Sequence, residues 1–141
     1  MKNNFEIISR AVIIHRGKIL LCRMKTKSWY FLPGGHVEFG EKPEDALKRE
    51  LLEELGVKTR MIKFIGVVEN SFGQISKMQH EINIVFHVTL DNFKVISLEN
   101  HLEFNWIDIA SLKKNELRPI AMHKAIMQWC KDKKEFFGSA I

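Results

Sequence analysis

Cysteine is scarce: Cys22 and Cys130 are the two in 141 residues. That number and separation exclude a disulfide framework and a cysteine zinc cluster, and suit buried thiols in a reducing compartment. The six histidines show no metal-ligand spacing, so zinc is not indicated. No apolar run approaches the ~20 residues of a membrane-spanning helix. The stretch Met1–Glu6 lacks the apolar core and cleavage site of a signal peptide, and the expected location is cytoplasmic. The single tyrosine and the absence of an interleaved aromatic-basic pattern argue against a single-strand nucleic-acid platform. Proline occurs three times, with none between Pro43 and Pro119. No composition shift, linker or repeat divides the chain, so residues 1–141 are expected to form one domain.

What is present is 45% hydrophobic residues, enough for a core, and a net charge of +5 that suits anionic ligands of any size. Strands are expected over Glu6–His15, Lys18–Met24, Lys58–Asn70, His80–Leu90 and Phe104–Ile107, from β-branched and alternating patterns. Ser71–Gln79 and Asp91–Glu103 read as loops, Ile109–Lys113 as a helical turn, and Ile120–Phe136 as an amphipathic helix. Strands interspersed with helices indicate an α/β fold with a mixed sheet between helices.

The informative stretch is Pro33–Val57, a glycine-rich loop followed by an acidic helix. Pro43 suits the first helical position, and Glu44 and Asp45 lie in the first turn, where they favour the macrodipole. Gly56 ends the helix as a left-handed residue. Lys42 is a poor N-cap, the one local feature against that start. With Glu50 at zero on the helical wheel, Glu54 falls near 40° and Glu53 near 300°, while Leu47, Leu51 and Leu55 follow at about 60–140°. Three carboxylates therefore share an arc that adjoins the buried face. Arg49 alone cannot neutralise them, and the missing counter-charge is most simply a hard divalent cation such as Mg²⁺, with Mn²⁺ able to substitute. The competing reading of a glutamate-rich helix, a solvated face, would require neither the glycine loop nor acids beside the core edge.

Gly35, five residues, Glu41, seven residues, then Arg49-Glu50-Leu51-x-Glu53-Glu54-x-Gly56-Val57 resembles the Nudix box at each defining position. The resemblance implies a Nudix (MutT-like) hydrolase with an α/β/α sandwich, acting on the acid anhydride of a nucleoside diphosphate joined to another moiety. It implies Glu50, Glu53 and Glu54 as metal ligands, Arg49 as the group that holds a box glutamate, and Glu41 as a brace between loop and helix. Gly34, Gly35, Gly40 and Gly56 permit the tight turns, Gly34 and Gly35 beside the substrate, and Glu38 is a further ligand or a rim charge. The general base is Glu53 or an acid of a distant loop, Glu103 ahead of Glu99, with Glu103 favoured for its place on a connection able to fold over substrate. Arg23 is expected to contact substrate, and Arg10 and Arg118 are further phosphate-grip candidates. Trp29 is a pocket wall or a stacking platform.

Within that family, the Pro-Gly-Gly-His-Val-Glu-Phe-Gly-Glu wording is similar to members that convert nucleoside triphosphates to monophosphate and pyrophosphate. The proline common in ADP-ribose pyrophosphatases about sixteen residues past the box is absent. The expected partner is a small nucleotide, not nucleic acid or membrane, and a homodimer is left open. The alternatives are an RNA 5′-end pyrophosphohydrolase, a nucleotide-sugar or ADP-ribose pyrophosphatase, and a catalytically silent nucleotide sensor.

Overall fold

The computed structural model describes residues 4–74 and 76–141. Two sheets form its middle. The larger has the order β4-β1-β6-β5-β8, built from β4 (Gly34–His36), β1 (Asn4–Val12), β6 (Lys77–Leu90), β5 (Thr59–Gln74) and β8 (Phe136–Ser139). In it β1 runs parallel to β6 and β8 parallel to β5, while the β1–β4 and β5–β6 pairs are antiparallel. The smaller sheet is antiparallel throughout, β2 (Ile14–His15), β3 (Lys18–Met24) and β7 (Leu102–Asp108). Helices α1 (Pro43–Leu55) and α2 (Ile120–Asp132) pack into two separate cores, as the expected mixed α/β sandwich requires.

Adjacent residues of the central strands serve the two cores alternately. Ala11, Ile13 and Leu20 meet Leu47, Leu51 and Leu55 of α1, while Val12, Ile19 and Leu21 meet Met122, Ile126 and Trp129 of α2. Each fully buried leucine contributes about 1.5–3 kcal/mol, and this burial seats the acidic helix against the sheet. The helix starts and stops as its sequence dictates, with Pro43 in the first turn, no side-chain bond from Lys42, and Gly56 left-handed at φ 66°. Ser9 Oγ donates to the Pro43 carbonyl at 2.7 Å and ties the helix start to β1.

The structure corrects several expected boundaries. The first strand divides at Ile13, where the chain passes from the larger sheet to the smaller one, and the Ile13 carbonyl accepts from Leu20 N–H at 2.9 Å. The expected loop Ser71–Gln79 is largely the end of a long β5–β6 hairpin, with Gly73 at φ 123° beside its tip, and Ile75 lies outside the described residues. The last helix stops at Asp132, not Phe136, because Lys133 turns left-handed and donates to the Trp129 carbonyl. The chain then adds β8 alongside β5, where Gly66 leaves room for the Phe136 ring.

Candidate active site

The glycine-rich segment expected as a loop is in part a strand. Gly34–His36 pairs with Ile8–Arg10, and Gly34 approaches so closely that a Cβ there would lie 1.9 Å from the Ser9 carbonyl oxygen. A Cβ on Gly35 would lie 2.3–2.6 Å from the carboxylate carbon and oxygens of Glu50. The first glycine thus permits strand pairing, and the second makes space for a box carboxylate.

Arg49 is the hub of the segment. Its Nε donates to Glu41 Oε2 at 2.9 Å and its Nη2 to Glu41 Oε1 at 3.0 Å, a two-pronged pairing that also reaches the His36 carbonyl at 3.0 Å. Nη1 donates to Glu50 Oε1 at 2.9 Å, and Glu53 Oε1 stands 3.7 Å away. The guanidinium holds the Glu41 carboxyl at about 2, well below the usual range, and is itself raised by the acids around it. Glu41 and Arg49 therefore join loop to helix. Glu38 is exposed, with its carboxylate 3.9 Å from Arg49 Nη2.

The three box carboxylates occupy different environments. Glu53 is more than half exposed, Glu50 is mostly covered, and Glu54 is buried. Burial, reinforced by neighbouring Glu50 and a hydrogen bond with it, pushes the Glu54 carboxyl up to about 8. A proton between two half-dry carboxylates relieves charge that a hard cation would otherwise neutralise, and the donors are all oxygens, so the chemistry fits a divalent ion. Among the described residues, however, no three histidine, cysteine or acidic side chains already converge at ligand spacing. Glu53 is turned towards Arg49 instead.

Glu103 is not on a mobile connection. It lies on β7 opposite Arg23 of β3, receives hydrogen bonds from Arg23 Nε at 3.0 Å and Asn105 Nδ2 at 3.2 Å, and sits 2.7 Å from Arg23 Nη2. These bonds, Asn105 first and Arg23 second, pull its carboxyl below the usual range and weaken it as a base. They also commit Arg23, which additionally donates to the Lys27 carbonyl at 3.3 Å. The loop acid that the structure does bring towards the box is Glu99, whose charge acts on Glu54, and next to it Leu98 N–H donates to the Glu54 carbonyl at 2.7 Å. Trp29 is partly buried, with the Arg118 guanidinium 4.7 Å above its ring.

Arg10, a phosphate-grip candidate from the sequence, and Cys22, expected as a buried thiol, both lie near the box acids, a placement the sequence does not show. Arg10 of β1 donates to the Leu32 carbonyl at 2.9 Å and to Asn83 Oδ1 at 3.4 Å, and lies over the Phe31 ring at 5.6 Å. It feels the charges of Glu81, Glu54 and Glu50, and its burial lowers its affinity for a proton. Cys22 is also near Glu54, a buried thiol pushed up to about 12 and therefore inert. An arginine within a β-branched strand gives no local sign that it faces acids forty or more residues away.

A family model described as NUDIX domain matches residues 7–130. The chain is 30% identical over 121 residues to the ADP-ribose pyrophosphatase of Methanocaldococcus jannaschii, covering 84% of this chain and 70% of that protein. It is 30% identical over 127 residues to the nucleoside triphosphatase NudI of Escherichia fergusonii, covering 82% of this chain and 89% of that protein. Among solved structures, the MutT protein of Bacillus halodurans superposes with a TM-score of 0.80 at 18% identity, over 95% of this chain and 88% of that one. No helix among the described residues is long and apolar enough to cross a membrane.

Proposed function

The chain belongs to the NUDIX domain family and is a Nudix pyrophosphohydrolase, and from that premise we propose that its substrate is a nucleoside triphosphate, cleaved to monophosphate and pyrophosphate. The observation that carries the site assignment is the set of box carboxylates: an exposed Glu53 3.7 Å from Arg49, a Glu50 clamped by Arg49 beside Gly35, and a buried Glu54. Support for the substrate comes from the nucleoside triphosphatase relative, aligned over 89% of its length, and from the absence of proline between Pro43 and Pro119.

Glu50, Glu53 and Glu54 would hold Mg²⁺, which when bound neutralises the phosphate oxygens and lets water approach phosphorus. Arg49 keeps Glu50 oriented, and Glu41 keeps Arg49 in place. Glu53, the box acid with solvent access, takes a proton from the attacking water as the water oxygen bonds to phosphorus and the bridging P–O bond breaks. Glu103, already paired with Arg23 and Asn105, is the weaker candidate for that step. A second reading, ADP-ribose hydrolysis, is favoured by the Methanocaldococcus relative.

The test is a panel of nucleoside triphosphates, ADP-ribose, nucleotide sugars and dinucleotides with Mg²⁺, scored for the phosphate species released. Pyrophosphate and monophosphate from a triphosphate at the highest kcat/KM is the expected result. A higher kcat/KM for ADP-ribose would replace this substrate with the second reading.

A further inference from the structure

One face of the five-stranded sheet changes character along its strands. Val12, Val68 and Val85 lie in the α2 core, whereas the rows beyond them carry polar side chains. Register places Asn70 opposite Glu81 and Glu81 opposite Glu6, so two carboxylates stand side by side on parallel neighbours. Like charges in that position are unfavourable in a sheet. Burial raises the Glu81 carboxyl, with Arg10 opposing that effect and Glu6 adding to it. Glu6 is paired with His36 Nε2 at 3.1 Å, while among the described residues Glu81 has no salt bridge within 4.0 Å.

This acidic row is connected to the box. Arg10 belongs to the same face of β1, four residues from Glu6, a separation of about 13 Å along a strand. Its guanidinium feels the charges of Glu81 and of the box acids Glu54 and Glu50 together. Asn83 is fixed between them, accepting from Arg10 at 3.4 Å and donating to the Val68 carbonyl at 3.2 Å. From Arg10, which feels the charges of the box acids, the face extends about 13 Å to Glu6 and Glu81, a length that fits a ribose and base.

We propose that Glu81 is a specificity-determining residue: its carboxylate accepts hydrogen bonds from the hydroxyl or amino groups of a nucleoside held beyond the pyrophosphate, and with Glu6 it repels a phosphodiester. The enzyme thereby takes mononucleotides and discriminates against the 5′ end of an RNA, even though its net charge of +5 would attract one. The proposal rests on the pyrophosphohydrolase reading above.

The test compares kcat and KM for a nucleoside triphosphate and for a 5′-triphosphorylated oligoribonucleotide, in wild type, Glu81→Gln and Glu6→Gln. Glu81→Gln should raise KM for the mononucleotide about tenfold, the loss of one hydrogen bond to a charged acceptor, with kcat and half-saturating Mg²⁺ within twofold. Its preference for mononucleotide over oligonucleotide should shrink by about the same factor. Glu6→Gln should weaken the discrimination without the KM penalty on the mononucleotide. Glu81→Gln should not melt below wild type, because it removes one of two facing carboxylates; a merely structural Glu81 would instead lower the melting temperature and leave the preference unchanged. Wild-type turnover with the same discrimination in both variants overturns this proposal alone. Turnover of neither substrate by wild type overturns the reading of the reaction, and this one with it.

Discussion

Gly35→Ala separates the site from the fold. Gly35 does not have a left-handed backbone, so alanine meets no conformational penalty there, and the atoms within reach of the new Cβ are those of the Glu50 carboxylate, at 2.3–2.6 Å. To restore an ordinary contact the carboxylate must retreat by about 1 Å, which breaks its 2.9 Å hydrogen bond from Arg49 Nη1. A charge-assisted bond of this kind contributes about 1.5–3 kcal/mol, and partial solvent access to both partners reduces the loss to roughly half. Alanine recovers about 0.4–1 kcal/mol by restricting the unfolded chain. The net destabilisation is therefore about 0.4 kcal/mol, or roughly 1 °C in melting temperature for a chain of this size. Catalysis should suffer far more, because a 1 Å displacement of a positioned group costs on the order of 10²-fold. Thermal melting and kcat/KM against Mg²⁺ concentration measure the two effects. Activity within fivefold of wild type, or a melting temperature lowered by more than about 10 °C, would refute the reasoning.

The other glycines should sort differently. Gly34→Ala meets the Ser9 backbone oxygen at 1.9 Å at φ 141° and should cost several kcal/mol in denaturant unfolding, whereas Gly40→Ala, at φ 80° with open space around it, should lose only about 1 kcal/mol and keep its activity. Chelation should abolish turnover and Mg²⁺ restore it, and full activity in excess chelator would remove the metal role. Glu54, raised from 4.5 in the unfolded chain to about 8, contributes stability to the chelated protein that is complete below 4.5 and is lost as pH rises from 4.5 through 8. Bound Mg²⁺ should flatten or reverse that slope in thermal melts, and identical slopes with and without Mg²⁺ would count against Glu54 as a ligand. Glu41 has the opposite sign: its carboxyl is held at about 2, so its contribution is complete above 4.5 and lost as pH falls towards 2. Glu41→Gln should accordingly narrow its stability gap from wild type over that interval.

The box helix was legible because everything that shapes it is local. Pro43, the two acids of the first turn, Gly56 and the leucine period lie within one stretch, and the wheel already placed Glu54 nearest the leucines that the structure buries. The link from Glu41 to Arg49 was legible only through the family resemblance, and their two-pronged pairing joins eight residues of separation. The strand Gly34–His36 was not legible, since its partner, Ile8–Arg10, lies more than twenty residues earlier and glycine alone reads as a turn. Nor was the place of Glu103, which is set by Arg23 eighty positions away, or that of β8, which follows the left-handed turn at Lys133 and pairs with β5 far earlier in the chain.

The sequence by itself therefore determined the acidic helix, its orientation towards the core and the chemistry of its donors, because helical period and end residues act within a few turns. Tertiary structure alone decided which distant groups face that helix. Arg10 and Glu81 are seventy-one positions apart, and Glu6 and Glu81 seventy-five. Parallel pairing of β1 with β6 brings them onto one face, and a shift of a single residue in that register would turn each side chain of the row to the opposite face. Nothing local to either strand encodes that register; it is fixed by the burial of the two cores on either side.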